Sequence, residues 1–167
     1  LSYTSDPLDV DTEVTGHPMV VIHLSSSEAD GQLFVYLEDI GPDGNIAYVT
    51  EGQLRLIHRE IGSSKAPYQQ PTPYRTFLEA DALPMEKGEP TAIRLDLWPT
   101  SYLFRKGHRI RVSIGGADYD NFALPEGQLP EYEIYRQTGL ASKIVLPVIK
   151  DQTREKAAGE IGEREVN

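Results

Sequence analysis

Glu13-Val-Thr-Gly-His-Pro-Met-Val-Val-Ile-His-Leu-Ser-Ser-Ser27 decides the fold class of this chain. Val20, Ile22 and Leu24 alternate with Val21, His23 and Ser25, so the stretch predicts a strand with one apolar face. Gly16 and Pro18 separate it from a shorter strand at Thr12 to Thr15. The same habit continues in both directions, with turn residues every 8 to 12 positions. Leu1 to Thr4 reads as an opening strand ended by Ser5-Asp6-Pro7. Leu33 to Ile40 is a long strand, and Gly41-Pro-Asp-Gly44 turns it into Ile46 to Thr50. Beyond Gly52 the spacing predicts a new strand over Leu54 to Arg59.

Farther along, Ile93, Leu95 and Leu97 share one face while Arg94 and Asp96 share the other. Ile110, Val112 and Ile114 point to the core, and Arg109 and Arg111 point away from it. Ile144 to Ile149 is apolar on both faces and closes the domain. Pro99 to Phe104 is read as a single helical turn. Gly62 to Pro73, with three prolines, is a long irregular loop. Asp151 to Asn167 reads as a charged, frayed tail outside a folded body of residues 1–150. The pattern defines an all-β antiparallel sandwich.

The chain has 167 residues, enough for one domain that buries about two-thirds of its unfolded surface. It begins at Leu1, already in strand-like sequence, which reads as one domain of a longer polypeptide. There are no cysteines, so disulfides and thiolate metal sites are excluded. A net charge of −10 argues against nucleic acid and against an anionic membrane surface as partners. The apolar run Met19 to Ile22 is far too short to span a bilayer.

Chemistry is hard to find in these residues. No Gly-x-Ser-x-Gly occurs, so the nucleophile elbow of an α/β-hydrolase is absent. His17, His23, His58 and His108 are each read as structural, and no pair has a metal-ligand spacing. Glu38-Asp39 with Asp43, and Asp118 with Asp120 and Asn121, offer oxygens for calcium, but solvated turn residues are the reading preferred. Gly115-Gly116 lacks the rest of a phosphate-binding loop. Trp98 with Tyr102, and Tyr68, Tyr74 and Phe77 around the proline loop, are candidates for a sugar platform, with core or interface plugs the preferred reading. Arg94, Arg109 and Arg111, near Asp96 in register, are expected to form cross-strand ion pairs without chemistry. No catalytic, cofactor-binding or metal-binding residue is assigned.

Leu33, Val35 and Leu37 lie on one side of their strand, with Phe34 and Tyr36 on the other. A strand apolar on both faces is usually covered on both. The cover is either another domain or a loop such as Gly62 to Pro73.

Six blocks in order carry a resemblance that spans about residues 1 to 150. They are LSYTSDPL from Leu1, EVTGHPMVVIHLSSS from Glu13, DGQLFVYLEDIGPDG from Asp30, YVTEGQLRLIHRE from Tyr48, PTSYLFRKGHRIRVSIGGADYDNF from Pro99 and KIVLPV from Lys143. Together they resemble the C-terminal domain of the X-Pro dipeptidyl-peptidase and CocE/NonD (cocaine-esterase-like) acyl hydrolases. The resemblance implies a jelly-roll β-sandwich of the galactose-binding-like type, following an α/β-hydrolase domain that carries a Ser-Asp-His triad. The family's triad positions have no counterparts here. The implied role is a non-catalytic accessory domain of a serine hydrolase, packed on the upstream α/β-hydrolase domain, helping to shape its cleft and open to homo-oligomer contacts. A carbohydrate-binding module and a free-standing protein-interaction domain are the alternatives.

Overall fold

A computed structural model describes residues 1–62, 66, 67, 69, 71–124 and 127–149. Ten strands occur among them: β1 (Ser2–Thr4), β2 (Thr12–Gly16), β3 (Met19–Ser26), β4 (Gln32–Ile40), β5 (Ile46–Arg55), β6 (Thr91–Asp96), β7 (Thr100–Phe104), β8 (Arg109–Gly115), β9 (Tyr132–Ile134) and β10 (Lys143–Val145). Every pairing is antiparallel. One sheet runs β1-β8-β4-β5, a second runs β10-β3-β6 with β9 also on β3, and β2 pairs with β7. The chain is an all-β sandwich.

Side-chain alternation explains the packing. Leu33, Val35 and Leu37 of β4 and Leu54 of β5 turn inward from the first sheet. Val20, Ile22 and Leu24 of β3 and Ile93 and Leu95 of β6 meet them from the second. Val14 and Phe104 bring the β2-β7 pair into the same cluster. Each fully buried side chain of this kind contributes about 1.5–3 kcal/mol, and the fold holds without cysteine.

At Gly41–Gly44 the hairpin forms as expected. Gly44 takes φ of 83°, which a side chain would oppose, and the Asp43 carboxylate accepts the Asn45 amide at 3.1 Å.

Three sequence expectations need correction. The strand does not break at Gly52: β5 runs continuously from Ile46 to Arg55, and Leu56–His58 forms a 3-10 turn instead of more strand. Gly52 is needed because the backbone of Asp96 and Leu97 passes over it; a Cβ there would lie 2.5 Å from the Asp96 carbonyl oxygen. Pro99 to Phe104 is not helical. Thr100–Phe104 is a strand whose Tyr102 and Phe104 rings pack edge to face at 5.0 Å, with Tyr102 opposite Val14. The closing strand is also shorter than expected. It ends at Val145, after which the chain crosses to β2, where Pro147 accepts the Thr15 amide at 3.0 Å and Ile149 donates to Glu13 at 2.9 Å. Val145, Val148 and Ile149 are exposed.

The tail at Asp151 to Asn167 lies outside the described residues, as do parts of the loop expected at Gly62 to Pro73.

Candidate functional site

The outer face of β4 is covered in part by a loop, the segment that follows β8. Phe34 packs against Phe122 of the segment after β8, with ring centroids 4.9 Å apart. The Tyr36 hydroxyl donates to Asp118 of that same segment at 3.0 Å. Beside this cover a recess of about 360 Å³ remains, lined by Gln32, Phe34, Gln53, His58, Phe77 and Phe122 among others.

Two features make the recess unusual. Phe77 is 62% exposed, stands edge-on to His58 at 5.6 Å and has φ of 55°, a left-handed conformation that bulky residues rarely adopt. Among the described residues no donor reaches the buried Oε1 atoms of Gln32 and Gln53. A buried acceptor left unpaired costs about 1–3 kcal/mol. Aromatic area, strain and unpaired acceptors therefore meet at one surface.

The acidic residues weighed for calcium disperse. Glu38 and Asp39 lie within β4, not in a turn, and alternation sends them to opposite faces. Glu38 accepts from Arg111 Nε at 2.7 Å and Nη2 at 2.9 Å, and from the Ser113 hydroxyl. Asp43 bonds Asn45, while Asp118 is held by Asn121 and Tyr36. Among the described residues no three His, Cys, Asp or Glu side chains could hold a metal ion.

Asp39 turns inward and is buried. Its carboxylate accepts from the Tyr102 hydroxyl at 3.0 Å and meets His108 Nδ1 at 2.9 Å. A carboxylate on Nδ1 is how triads orient an imidazole. Here the third group, Tyr102, sits on the same carboxylate, and among the described residues no Ser or Thr hydroxyl reaches His108. The trio ties β4, β7 and the start of β8 together. Burial first, then Asp39, pushes the Tyr102 hydroxyl above its ordinary range.

The remaining histidines are placed as follows. Among the described residues the buried Nδ1 atoms of His17 and His23 meet no partner, and His58 joins the aromatic recess.

The aromatic platform does not assemble at Trp98. Trp98 is 63% exposed, whereas Tyr102 is turned in toward Asp39. Tyr74 is half-buried, and Tyr68 lies outside the described residues.

The arginines differ from expectation too. Arg111 pairs with Glu38, Arg109 donates to the Ser5 carbonyl at 2.7 Å, and neither meets Asp96, which belongs to the other sheet. Asp96 instead lies 3.9 Å from Arg75, a residue missed in the sequence. Arg75 is buried and donates to the Arg94 carbonyl, and among the described residues its Nε meets no acceptor. Burial lowers its affinity for the proton, opposed by the Asp96 charge. Nothing local marks Arg75 as buried; it lies in a polar, proline-rich stretch.

Among the described residues no helix is long and apolar enough to cross a membrane.

Comparison with known proteins gives the family. The model of the X-Pro dipeptidyl-peptidase C-terminal non-catalytic domain matches residues 1–147, and the chain belongs to that family. A Mycobacterium bovis protein named provisionally as a serine esterase is 52% identical over 150 residues, covering 90% of this chain and 24% of its own length. The cocaine esterase of a Rhodococcus species is 28% identical over 163 residues, covering 90% of this chain and 25% of the esterase. A CocE/NonD family hydrolase from Staphylococcus aureus has a similar fold, with a TM-score of 0.73 at 20% identity over 89% of this chain and 30% of that one. The chain thus spans about a quarter of the length of the curated relatives it matches.

Proposed function

We propose that this chain is the accessory domain of a serine hydrolase acting on esters, or on peptides with proline in the penultimate position. It docks on the hydrolase portion through the recess of Phe34, Phe77 and Phe122 and borders the substrate cleft. Family membership supports the accessory role. The observation that carries the docking face is the exposed Phe77 ring, held at a left-handed φ beside the recess of Phe34 and Phe122. A partner contributing an apolar surface would bury the Phe77 ring and so offset the strain of its backbone. The three-quarters of its relatives' length that this chain does not match is the source of such a partner.

The test is calorimetric. The hydrolase portion of the parent, produced separately, is titrated with this chain carrying Phe77→Asp or Trp98→Asp. Phe77→Asp is expected to weaken the complex at least about tenfold, as loss of a buried aromatic anchor does, and Trp98→Asp to leave it unchanged. Equal affinities would overturn the docking face. Turnover of an activated short-chain ester by this chain alone, abolished by a serine-reactive phosphonate, would overturn the accessory role.

A further inference from the structure

At the edge where β1 and β10 lie, the two main sheets part and leave a cleft of about 250 Å³. Tyr3, Val112 and Ile114 wall it from the first sheet, and Val20, Ile22 and Ile144 from the second. It is separate from the aromatic recess, which opens on the outer face of β4 and β5.

Arg136 and Lys143 also line the cleft, and both are exposed. The Arg136 guanidinium lies over the Tyr3 ring, 5.2 Å from its centroid. Arg55, Lys87, Arg105 and Arg111 each hold a carboxylate, but among the described residues Arg136 and Lys143 hold none. Arg59 and Arg109 elsewhere donate to backbone carbonyls, whereas Arg136 and Lys143 stand together beside one apolar opening.

The chemistry selects a ligand class. The cleft opens to solvent and its wall is mostly apolar, with the Ser142 hydroxyl donating to the Tyr135 carbonyl and accepting from the His23 amide. An apolar group entering it leaves water, and a closed apolar space of about 150 Å³ already accepts benzene. The cleft therefore has room for a tail of roughly eight carbons. A cationic head would be repelled at the opening, and a neutral head would leave the guanidinium unused. A carboxylate can take two parallel N–H donors from Arg136, with Lys143 as a second charge. We propose that this cleft binds a medium-chain aliphatic monocarboxylate, with its tail among Ile22, Ile114 and Ile144 and its head on Arg136 and Lys143. The proposal does not depend on the docking face assigned above.

Methyl-labelled chain, all 167 residues, titrated with sodium octanoate tests it directly. Saturable shifts are expected at the Ile22, Ile114 and Ile144 methyls, with Ile46 unaffected. From butanoate to octanoate the affinity should rise roughly fourfold per methylene. Arg136→Gln, at an exposed position, should weaken octanoate roughly tenfold, and octanol should bind the native chain no better than octanoate binds that variant. Absence of saturable shifts at Ile22 and Ile144 up to the solubility limit would overturn the proposal. So would octanol matching octanoate, or shifts produced by phosphatidylglycerol vesicles and not by the free acid.

Discussion

Glu38 and Arg111 face each other across β4 and β8 and are joined by two parallel hydrogen bonds, at 2.7 and 2.9 Å. The Arg111 guanidinium, helped by the Ser113 hydroxyl and opposed by burial, holds the Glu38 carboxyl below its ordinary value of 4.5. A carboxyl with a depressed folded value stabilises the fold above its unfolded value. That contribution is lost as pH falls below 4.5 through the folded one. Glu38→Gln should therefore destabilise the domain by about 1–2 kcal/mol at neutral pH. The gap should narrow toward about pH 3. Urea denaturation at the two pH values measures it, and a gap independent of pH would contradict the linkage.

At the alkaline end the sign reverses. Burial, reinforced by the hydrogen bond to Asp118, pushes the Tyr36 hydroxyl up to about 12; burial, reinforced by the Asp30 charge, pushes Tyr132 up to about 12. Both start from 10.0, so the unfolded chain ionises first. The stabilisation is complete below 10 and is lost as pH rises toward 12. Tyr132→Phe, which leaves the Gln32 carbonyl without its 2.9 Å donor, should cost about 1 kcal/mol at neutral pH. The deficit should shrink above pH 10, and ultraviolet titration should lose one late phenolate step. Loss of an ordinary step near 10 instead would place Tyr132 in solvent.

Strand alternation made most of the sandwich legible: Val20 to Leu24, Leu33 to Leu37 and Ile110 to Ile114 all bury the side that period-two reading assigns. What stayed hidden depends on long-range contacts. Asp39 and Tyr102 are 63 positions apart, and only the joining of β4 to β7 makes them partners. The cover over Phe34 and Tyr36, expected from another domain or from a loop such as Gly62 to Pro73, includes a loop, that of Asp118 and Phe122, which the pairing of β8 with β4 delivers. The recess was half visible: Phe77 was marked as a candidate aromatic, but its neighbours His58, Gln53 and Phe122 come from three other places in the chain.

Gly52 shows how a local cue misleads. Glycine signals a turn when read alone, but here it permits β5 to pass beneath Asp96 and Leu97. Gly52→Ala would set a methyl 2.5 Å from the Asp96 oxygen and 2.9 Å from a Leu97 methyl. The expected loss is about 1–3 kcal/mol, as for overpacked cores, although alanine is ordinarily the better strand residue. Gly44→Ala is the comparison: its Cβ meets nothing within 4 Å, so only the strain of φ 83° opposes it. Chemical denaturation of the two variants separates crowding from backbone strain, and a Gly52→Ala protein as stable as the parent would refute the close approach.

Phe77 pits stability against docking. Its φ of 55° costs roughly 1–2 kcal/mol for a residue with a bulky side chain, and at 62% exposure the ring recovers little of this by burial. Asparagine tolerates the left-handed region through its own backbone hydrogen bonds. Phe77→Asn should therefore stabilise the free chain by about 0.5–1 kcal/mol, while weakening the complex with the hydrolase portion by about tenfold or more. Thermal melts of the free chain and calorimetry of the complex should move in opposite directions. A structural residue would lose stability when replaced, and a mere surface residue at this φ would gain stability without weakening the complex. Only a side chain held in strain for a partner raises one and lowers the other.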